Sequence, residues 1–330
     1  SVGGAVTVKS IVSAGTDADN DVTINANSDF SGANDGANAV TTETISIGAV
    51  GAASDIGKLK LDAADGVTLT GNITLANAAD ADLDVNSKAF ISGDVTITTN
   101  TTGTDGTIDF ASTIDGVSGD STDDDLILLT GDNGGSLVLG GVIGGTVPLT
   151  TLDINQSAGA GNTTNTIAMT IPGIGGANAG VTGATRIGNT GSGDITFSAD
   201  GSTAYNFGGS LTVTSNGAAG AFTFTNSPTI KAGGAVAFNE GAGTDDTMVI
   251  ADEKTLTINT SAAGADITLA NLDGTAGDGN DGSDLTIDAG SGTVNLESID
   301  NDINDLQVTG ATIKLGGSIT TALTTPDGGD

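Results

Sequence analysis

Apolar residues in this chain fall almost entirely into short alternating runs. Val6-Thr-Val8, Val22-Thr-Ile24, Ile45-Ser-Ile47, Leu59-Lys-Leu61 and Val67-Thr-Leu69 open the series. Leu211-Thr-Val213, Phe222-Thr-Phe224, Leu256-Thr-Ile258, Val294-Asn-Leu296 and Ile313-Lys-Leu315 continue it. A period of two over a few residues, bounded by Gly, Asn and Asp, marks a β-strand with one buried face. No apolar stripe of helical period occurs, and 53 glycines lower helix propensity throughout. Helix content should therefore be near zero.

A pentapeptide recurs: a small or polar residue, Asp or Asn, an aliphatic, Thr, then an aliphatic or Phe. It occupies Asn20–Ile24, Gly71–Leu75, Gly93–Ile97, Gly193–Phe197, Ala265–Leu269 and Ser283–Ile287. A second phrase, Gly-Gly-Ser-aliphatic, stands at Gly134–Leu137, Gly208–Leu211 and Gly316–Ile319. Imperfect recurrence at roughly 20 residues is the mark of a solenoid with one rung per repeat. Helical repeats lack support, and the Leu-x-x-Leu-x-Leu pattern of leucine-rich repeats is absent. The remaining architecture is all-β, a parallel β-helix. In Gly93–Ile97, Val95 and Ile97 should face inward and Thr96 outward. Gly and Asn permit corners, and short Asp and Asn side chains close turns, which accounts for only four Glu among 41 acids. At ~20 residues per rung the chain makes about 15 rungs, a rod of roughly 70 Å with a thin aliphatic core. One solenoid domain over residues 1–330 is expected. Thr16–Thr42, Ser157–Arg186 and the acidic Asp273–Asp284 break the rhythm as irregular loops or rungs.

Asp105-Gly-Thr-Ile-Asp-Phe110, Asp125-Leu-Ile-Leu-Leu129, Gly135-Ser-Leu-Val-Leu139, Val142-Ile-Gly-Gly145 and Pro148-Leu-Thr-Thr-Leu152 carry a family likeness. This stretch resembles the repeat regions of large bacterial surface exoproteins, the filamentous-haemagglutinin-like adhesins and autotransporter passengers. Gly316-Gly-Ser-Ile-Thr-Thr321 is similar to another phrase of the same kind. The resemblance implies a secreted right-handed β-helix that builds a stalk, fibre or surface layer. The sequence lacks that family's secretion-signal domain and membrane-anchoring barrel.

Composition removes several classes of function. A net charge of −33 repels phosphates, so nucleic acid is excluded as a partner. The chain has no Cys, hence no disulfide, thiolate chemistry or zinc–sulfur site. A hydrophobic fraction of 37% is too high for a disordered acidic tail. The most apolar window, Leu137 to Leu149, is broken by glycines and too short for a membrane span. Ser1 in place of Met, and the closing Pro326-Asp-Gly-Gly-Asp330, read as cut edges of something larger.

Calcium is the first candidate ligand. Asp17-Ala-Asp19-Asn-Asp21 and Asp80-Ala-Asp82-Leu-Asp84 alternate carboxylates as an all-oxygen Ca²⁺ site requires. Val22 and Val85 stand where an EF-hand loop needs glycine. Asp278, Asp281 and Asp284 form a loose version of the calcium-binding nonapeptide. Turn closure and surface solvation are the competing role for all nine, although divalent cations would relieve the self-repulsion of the acidic chain.

Phosphate-loop spacings fail. Gly51 to Gly57-Lys58 is one residue too long, and Gly277-Asp-Gly-Asn-Asp-Gly282 sets carboxylates where a pyrophosphate would lie. A polysaccharide-processing enzyme would have to run on Asp alone, through Asp123-Asp124-Asp125 or Asp245-Asp246. With no His or Trp, one Tyr and one Arg, little could clamp or stack a sugar. T-x-T pairs at Thr68/Thr70, Thr96/Thr98, Thr212/Thr214, Thr223/Thr225 and Thr255/Thr257 fit an ice-binding face or plain β-propensity, and the irregular repeat favours the latter. Sequons at Asn72, Asn100, Asn155, Asn162 and Asn259 are expected in a Thr-rich chain.

The leading expectation is an extracellular, non-enzymatic structural or adhesin protein that self-associates into a fibre, sheath or cell-surface stalk, with a host or cell-surface glycan or protein as ligand. A calcium-dependent surface-layer protein is the alternative, and a β-helical polysaccharide-processing enzyme a further one. No required cofactor is expected besides Ca²⁺ in the second case. Neither end shows a polar cap, so rungs should continue end to end.

Overall fold

The structure is a computed structural model that describes residues 5–12, 20–26, 43–51, 56–75, 81–99, 106–120, 123–130, 135–155, 168–188, 193–215, 220–239, 247–274, 282–299 and 303–320. All regular structure among them is β-strand, without helix. The chain divides into two compact units, Ser1–Asn155 and Gln156–Asp330.

The first unit contains three runs of parallel strands. One holds Asn20–Asn25, Ile56–Asp62, Leu83–Val85, Thr107–Phe110 and Ser136–Leu139. The next holds Val6–Ile11, Thr44–Val50, Gly66–Leu69, Ala89–Ile91 and Ile114–Gly116, with a final bridge at Ile143. The third starts at Val50 and continues through Ile73–Thr74, Val95–Thr98, Asp125–Leu129 and Thr151–Ile154. The chain visits the runs in rotation and adds one strand to each per circuit. That is a parallel β-helix.

The second unit repeats the scheme. Met169–Ile171, Ile195–Phe197, Phe222–Phe224, Thr247–Ile250 and Asn271–Gly274 form its first run, extended by bridges at Ile299 and Ile319. Gly201–Phe207, Pro228–Ala232, Thr255–Asn259, Ser283–Asp288 and Ile303–Thr309 form the second. Thr185–Ile187, Leu211–Thr214, Val236–Asn239, Ile267–Leu269, Thr293–Leu296 and Thr312–Leu315 form the third.

Alternation decides which side chains enter the core. Val95 and Ile97 are 1% and 0% exposed, while Thr96 between them is half-buried. Each aliphatic buried this way contributes about 1.5–3 kcal/mol. Rungs are longer than the twenty residues expected. Hydrogen bonds from one rung to the next span 24 residues at Asn72 and Thr96, 27 at Asp266 and Thr293, and 31 at Gly93 and Asp124. Each circuit carries three strand segments and three corners, so fewer rungs fit the chain than a twenty-residue repeat implies.

The pentapeptide's Asp or Asn does more than close its own turn. Asn72 Oδ1 accepts the Thr96 N–H at 2.9 Å, and outside the pentapeptide Asp82 Oδ1 accepts the Thr107 N–H at 2.8 Å in the same way. Asp194 accepts from Ala221 N at 2.9 Å, Asp266 from Thr293 N at 2.7 Å, and Asp284 from Asp305 N at 3.2 Å. In each case a short polar side chain at a strand entry bonds the backbone of the following rung. Glu would carry its carboxylate past that amide.

The core of the second unit is not thin and aliphatic as expected. Phe197 and Phe224 stack with ring centroids 5.0 Å apart, and Phe238 meets both edge-on at 5.8 Å. Tyr205 closes the cluster against Phe197 at 5.3 Å. Its hydroxyl donates to Ile171 O at 2.9 Å and accepts from Ala199 N at 3.0 Å. Burial holds this phenol well above its ordinary pKa, even though the Ala199 amide favours the ionised form. A Gly-Gly phrase permits close corner stacking beside it. A Cβ on Gly209 would collide with the Gly183 carbonyl, and one on Gly233 with the Gly208 carbonyl.

Of the three irregular segments, Thr16–Thr42 contains the strand Asn20–Asn25, and residues 27–42 lie outside the described set. Within Ser157–Arg186, residues 168–186 form an irregular rung. There the second run is occupied by isolated bridges, Ile174 to Tyr205 and Val181 to Phe207. Asp273 and Asp284 lie in the flanking strands of the third segment, and residues 275–281 fall outside the described set.

Candidate functional site

Of the nine aspartates proposed for calcium, Asp17, Asp19, Asp80, Asp278 and Asp281 lie outside the described residues. Asp21 is exposed on the strand Asn20–Asn25. The other three hold rungs together. Asp82 accepts from Lys58 Nζ at 3.3 Å as well as from Thr107 N, and Asp84 accepts from Lys60 Nζ at 3.0 Å. Asp284 accepts from Thr255 Oγ1 at 3.3 Å and from Asp305 N. Among the described residues no group of three or more His, Cys, Asp or Glu is placed to hold a metal ion.

A ladder of charged side chains runs along the outer surface of the first unit. Lys60, Asp84 and Asp109 are register partners on three successive strands. Asn86, with its amide turned to donate to Asp84 Oδ1 at 2.8 Å, accepts from Lys60 Nζ at 2.9 Å. Asp109 stands one rung further from the ammonium, and its Oδ1 is enclosed without a hydrogen-bond partner. Burial raises its pKa above the ordinary carboxylate value, Asp84 adds to the rise, and Lys60 opposes it. The signal was present in the sequence. Lys58-Leu-Lys60 and Asp82-Leu-Asp84 repeat one spacing, 24 residues, with opposite charge. Such exposed pairs contribute at most about 1 kcal/mol each.

The acidic run offered for catalysis is a corner. Asp124 is 5% exposed and accepts from Gly93 N at 3.1 Å and Val117 N at 2.9 Å. Burial raises its pKa, opposed by those two amides and reinforced by Asp120 and Asp123. Asp125 accepts from Thr151 Oγ1 at 2.7 Å on the next rung. Asp115, also buried, accepts from Thr146 N at 2.8 Å and Val147 N at 3.3 Å. Asp245 and Asp246 lie outside the described residues.

Threonine columns are short and interrupted. Thr170, Thr196 and Thr223 stack in register and give way to Val249. Thr229, Thr257 and Thr286 stack and give way to Gln307. Arg186 sits above Thr212 and Ala237. These columns fit β-propensity better than a flat repeating lattice. Three sequon asparagines serve internal bonding, Asn259 by accepting from Ser261 N at 3.0 Å and Ser261 Oγ at 2.9 Å. Asn72 ties a rung, and Asn155, 0% exposed with φ 54°, accepts from Thr130 N at 3.0 Å and Thr130 Oγ1 at 3.2 Å.

Six large apolar side chains are exposed among the described residues: Val6, Val12, Val138, Ile313, Leu315 and Ile319. All but Val138 belong to the first or last rung. Among the described residues no helix is long and apolar enough to cross a membrane. No family model, curated protein or solved structure matches this chain.

Proposed function

We propose that this chain is an extracellular structural element, a β-helical segment of a fibre, sheath or cell-surface stalk. One observation carries the reading: the recurrent polar side chains at strand entries bond the next rung. Asn72, Asp82, Asp194, Asp266 and Asp284 each spend an oxygen on the following backbone. Of the aspartates weighed for an ion or an acid–base pair, Asp82, Asp84, Asp124, Asp125 and Asp284 also tie one rung to another. A chain whose polar side chains are committed to stacking is suited to bearing extension, with its outer faces free to meet a glycan or protein of another surface. The acidic, Cys-free composition suits export and keeps such a polymer soluble.

Antibody labelling of intact and permeabilised source cells, combined with electron microscopy, tests the reading. Label on slender fibres or a layer outside intact cells is the expected result. Label that requires permeabilisation would refute it.

A further inference from the structure

We propose that the Asp200-Gly201 step is a site of spontaneous covalent modification, at which the folded chain closes a five-membered succinimide and reopens it as isoaspartate.

Asp200 and Gly201 are both exposed, at the entry to the strand Gly201–Phe207. Asp200 Oδ1 accepts the N–H of Gly201 at 2.9 Å, so the nitrogen that must attack Cγ already lies against the carboxyl group. Gly201 has φ 90°, and a Cβ there would meet nothing within 4 Å, so the ring has room to form. The backbone also has slack. From Gly201 to Tyr205 this strand takes four steps while its partner takes two, from Pro228 to Ile230. Ser202 and Thr203, inside that bulge, are exposed. Closure is opposed by the neighbouring rung, where Gly201 N donates to Ser227 O at 3.2 Å and Asp200 Oδ1 accepts from Ser227 N at 3.1 Å. Both bonds break in a local opening of an exposed strand entry, with the core intact.

The reaction needs only water. With the Asp200 carboxyl in its neutral form, the Gly201 nitrogen bonds to Cγ. The bond from Cγ to the hydroxyl oxygen breaks, and water leaves with that hydroxyl and the amide proton. A second water then adds to the ring carbonyl that was the peptide carbonyl of Asp200. Its bond to nitrogen breaks, the α-carboxylate is released, and the main chain runs through Cγ. Nothing is oxidised or reduced.

Three further Asp-Gly steps with both residues described are held apart from this geometry. Asp65 Oδ2 accepts from Glu43 N at 2.7 Å, while Gly66 N donates to Ala63 O at 3.3 Å. Asp115 is buried and bonds Thr146 N and Val147 N, while Gly116 N donates to Val147 O at 3.0 Å. Asp273 and Gly274 are held in register by Val249 and Ile250, and Gly274 is buried.

The test ages the folded 330-residue chain at physiological temperature and pH, with a parallel sample unfolded in guanidinium. Isoaspartyl methyltransferase labelling and fragmentation mass spectrometry then score each Asp-Gly peptide separately. In the folded chain Asp200 should convert at least tenfold faster than Asp65, Asp115 or Asp273. In guanidinium the four rates should agree within about threefold. Asp200→Glu, whose extra methylene disfavours ring closure, should abolish the label at that position while circular dichroism shows the fold retained. A folded-state lead below tenfold would overturn the proposal, and so would a lead that persists in guanidinium, since it would then belong to the local sequence. Label persisting at position 200 in the Glu variant would overturn it as well.

Discussion

Replacing Tyr205 by Phe removes one oxygen from the interior of the second unit and leaves the ring in place. Tyr205 is 0% exposed, and its hydroxyl joins Ile171 O to Ala199 N across a circuit of the helix. Ile171 O keeps two other donors, Ser198 N at 3.2 Å and Ser198 Oγ at 3.3 Å, so its loss is small. The Ala199 N–H is left without that acceptor. Two lost bonds at ~0.5–1.5 kcal/mol each, with a partly buried orphan donor, give about 2–3 kcal/mol of destabilisation. The edge contact with Phe197 at 5.3 Å persists, so no packing loss adds to this. Guanidinium unfolding followed by far-UV circular dichroism measures the total. Hydrogen exchange at the Ala199 amide reports the local event, and this amide should lose protection before its neighbours do. A loss below about 0.5 kcal/mol with Ala199 still protected would show that the hydroxyl is not a structural tie.

Asn155→Ala should cost about 2–4 kcal/mol, because Thr130 loses a buried acceptor and Ala takes up the positive φ poorly, whereas Asn155→Gly should recover roughly 1 kcal/mol of this in denaturant titrations. Gly209→Ala should destabilise by about 1–3 kcal/mol, since the added methyl meets the Gly183 carbonyl and not a movable side chain; an unchanged thermal midpoint would refute close corner stacking. Asp109 has a folded pKa above its unfolded value, so its ionised form opposes folding at neutral pH, and the penalty disappears as pH falls through the raised folded pKa toward 3.8. Asp109→Asn should therefore stabilise the first unit at pH 7 and lose that advantage on acidification, as followed by denaturation at stepped pH.

The strands and the parity of their faces were legible because inward and outward residues alternate without exception in runs such as Val95-Thr-Ile97 and Leu211-Thr-Val213. A parallel stack followed from repetition of those runs. Rung length was less legible. The pentapeptide marks only some strand entries, and a circuit also passes through strands such as Ala89–Ile91, which have no recognisable phrase. The aromatic cluster escaped because Phe197, Phe222 and Phe224 occupy ordinary strand positions, and their convergence with Tyr205 and Phe238 depends on register. The carboxylate sites show the limit of composition most clearly. Asp82-Leu-Asp84 has the alternation of a calcium loop, but an extended strand with Lys58 and Lys60 on the preceding strand turns the same alternation into two cross-strand pairs.

Two constraints hold the register of each rung, and they act on different residues. Inward aliphatics fix parity, since a slip by one residue exposes the whole row. Strand-entry Asp and Asn fix phase, since Asp266 reaches Thr293 N only when the two strands start level. Neither constraint touches the corners. Ties between rungs can therefore span 24 residues from Asn72 to Thr96 and 31 from Gly93 to Asp124 while inward residues still meet inward residues. Loop length varies slowly in free energy, at about 0.6 kcal/mol per doubling, so a corner can lengthen without disturbing the stack beneath it.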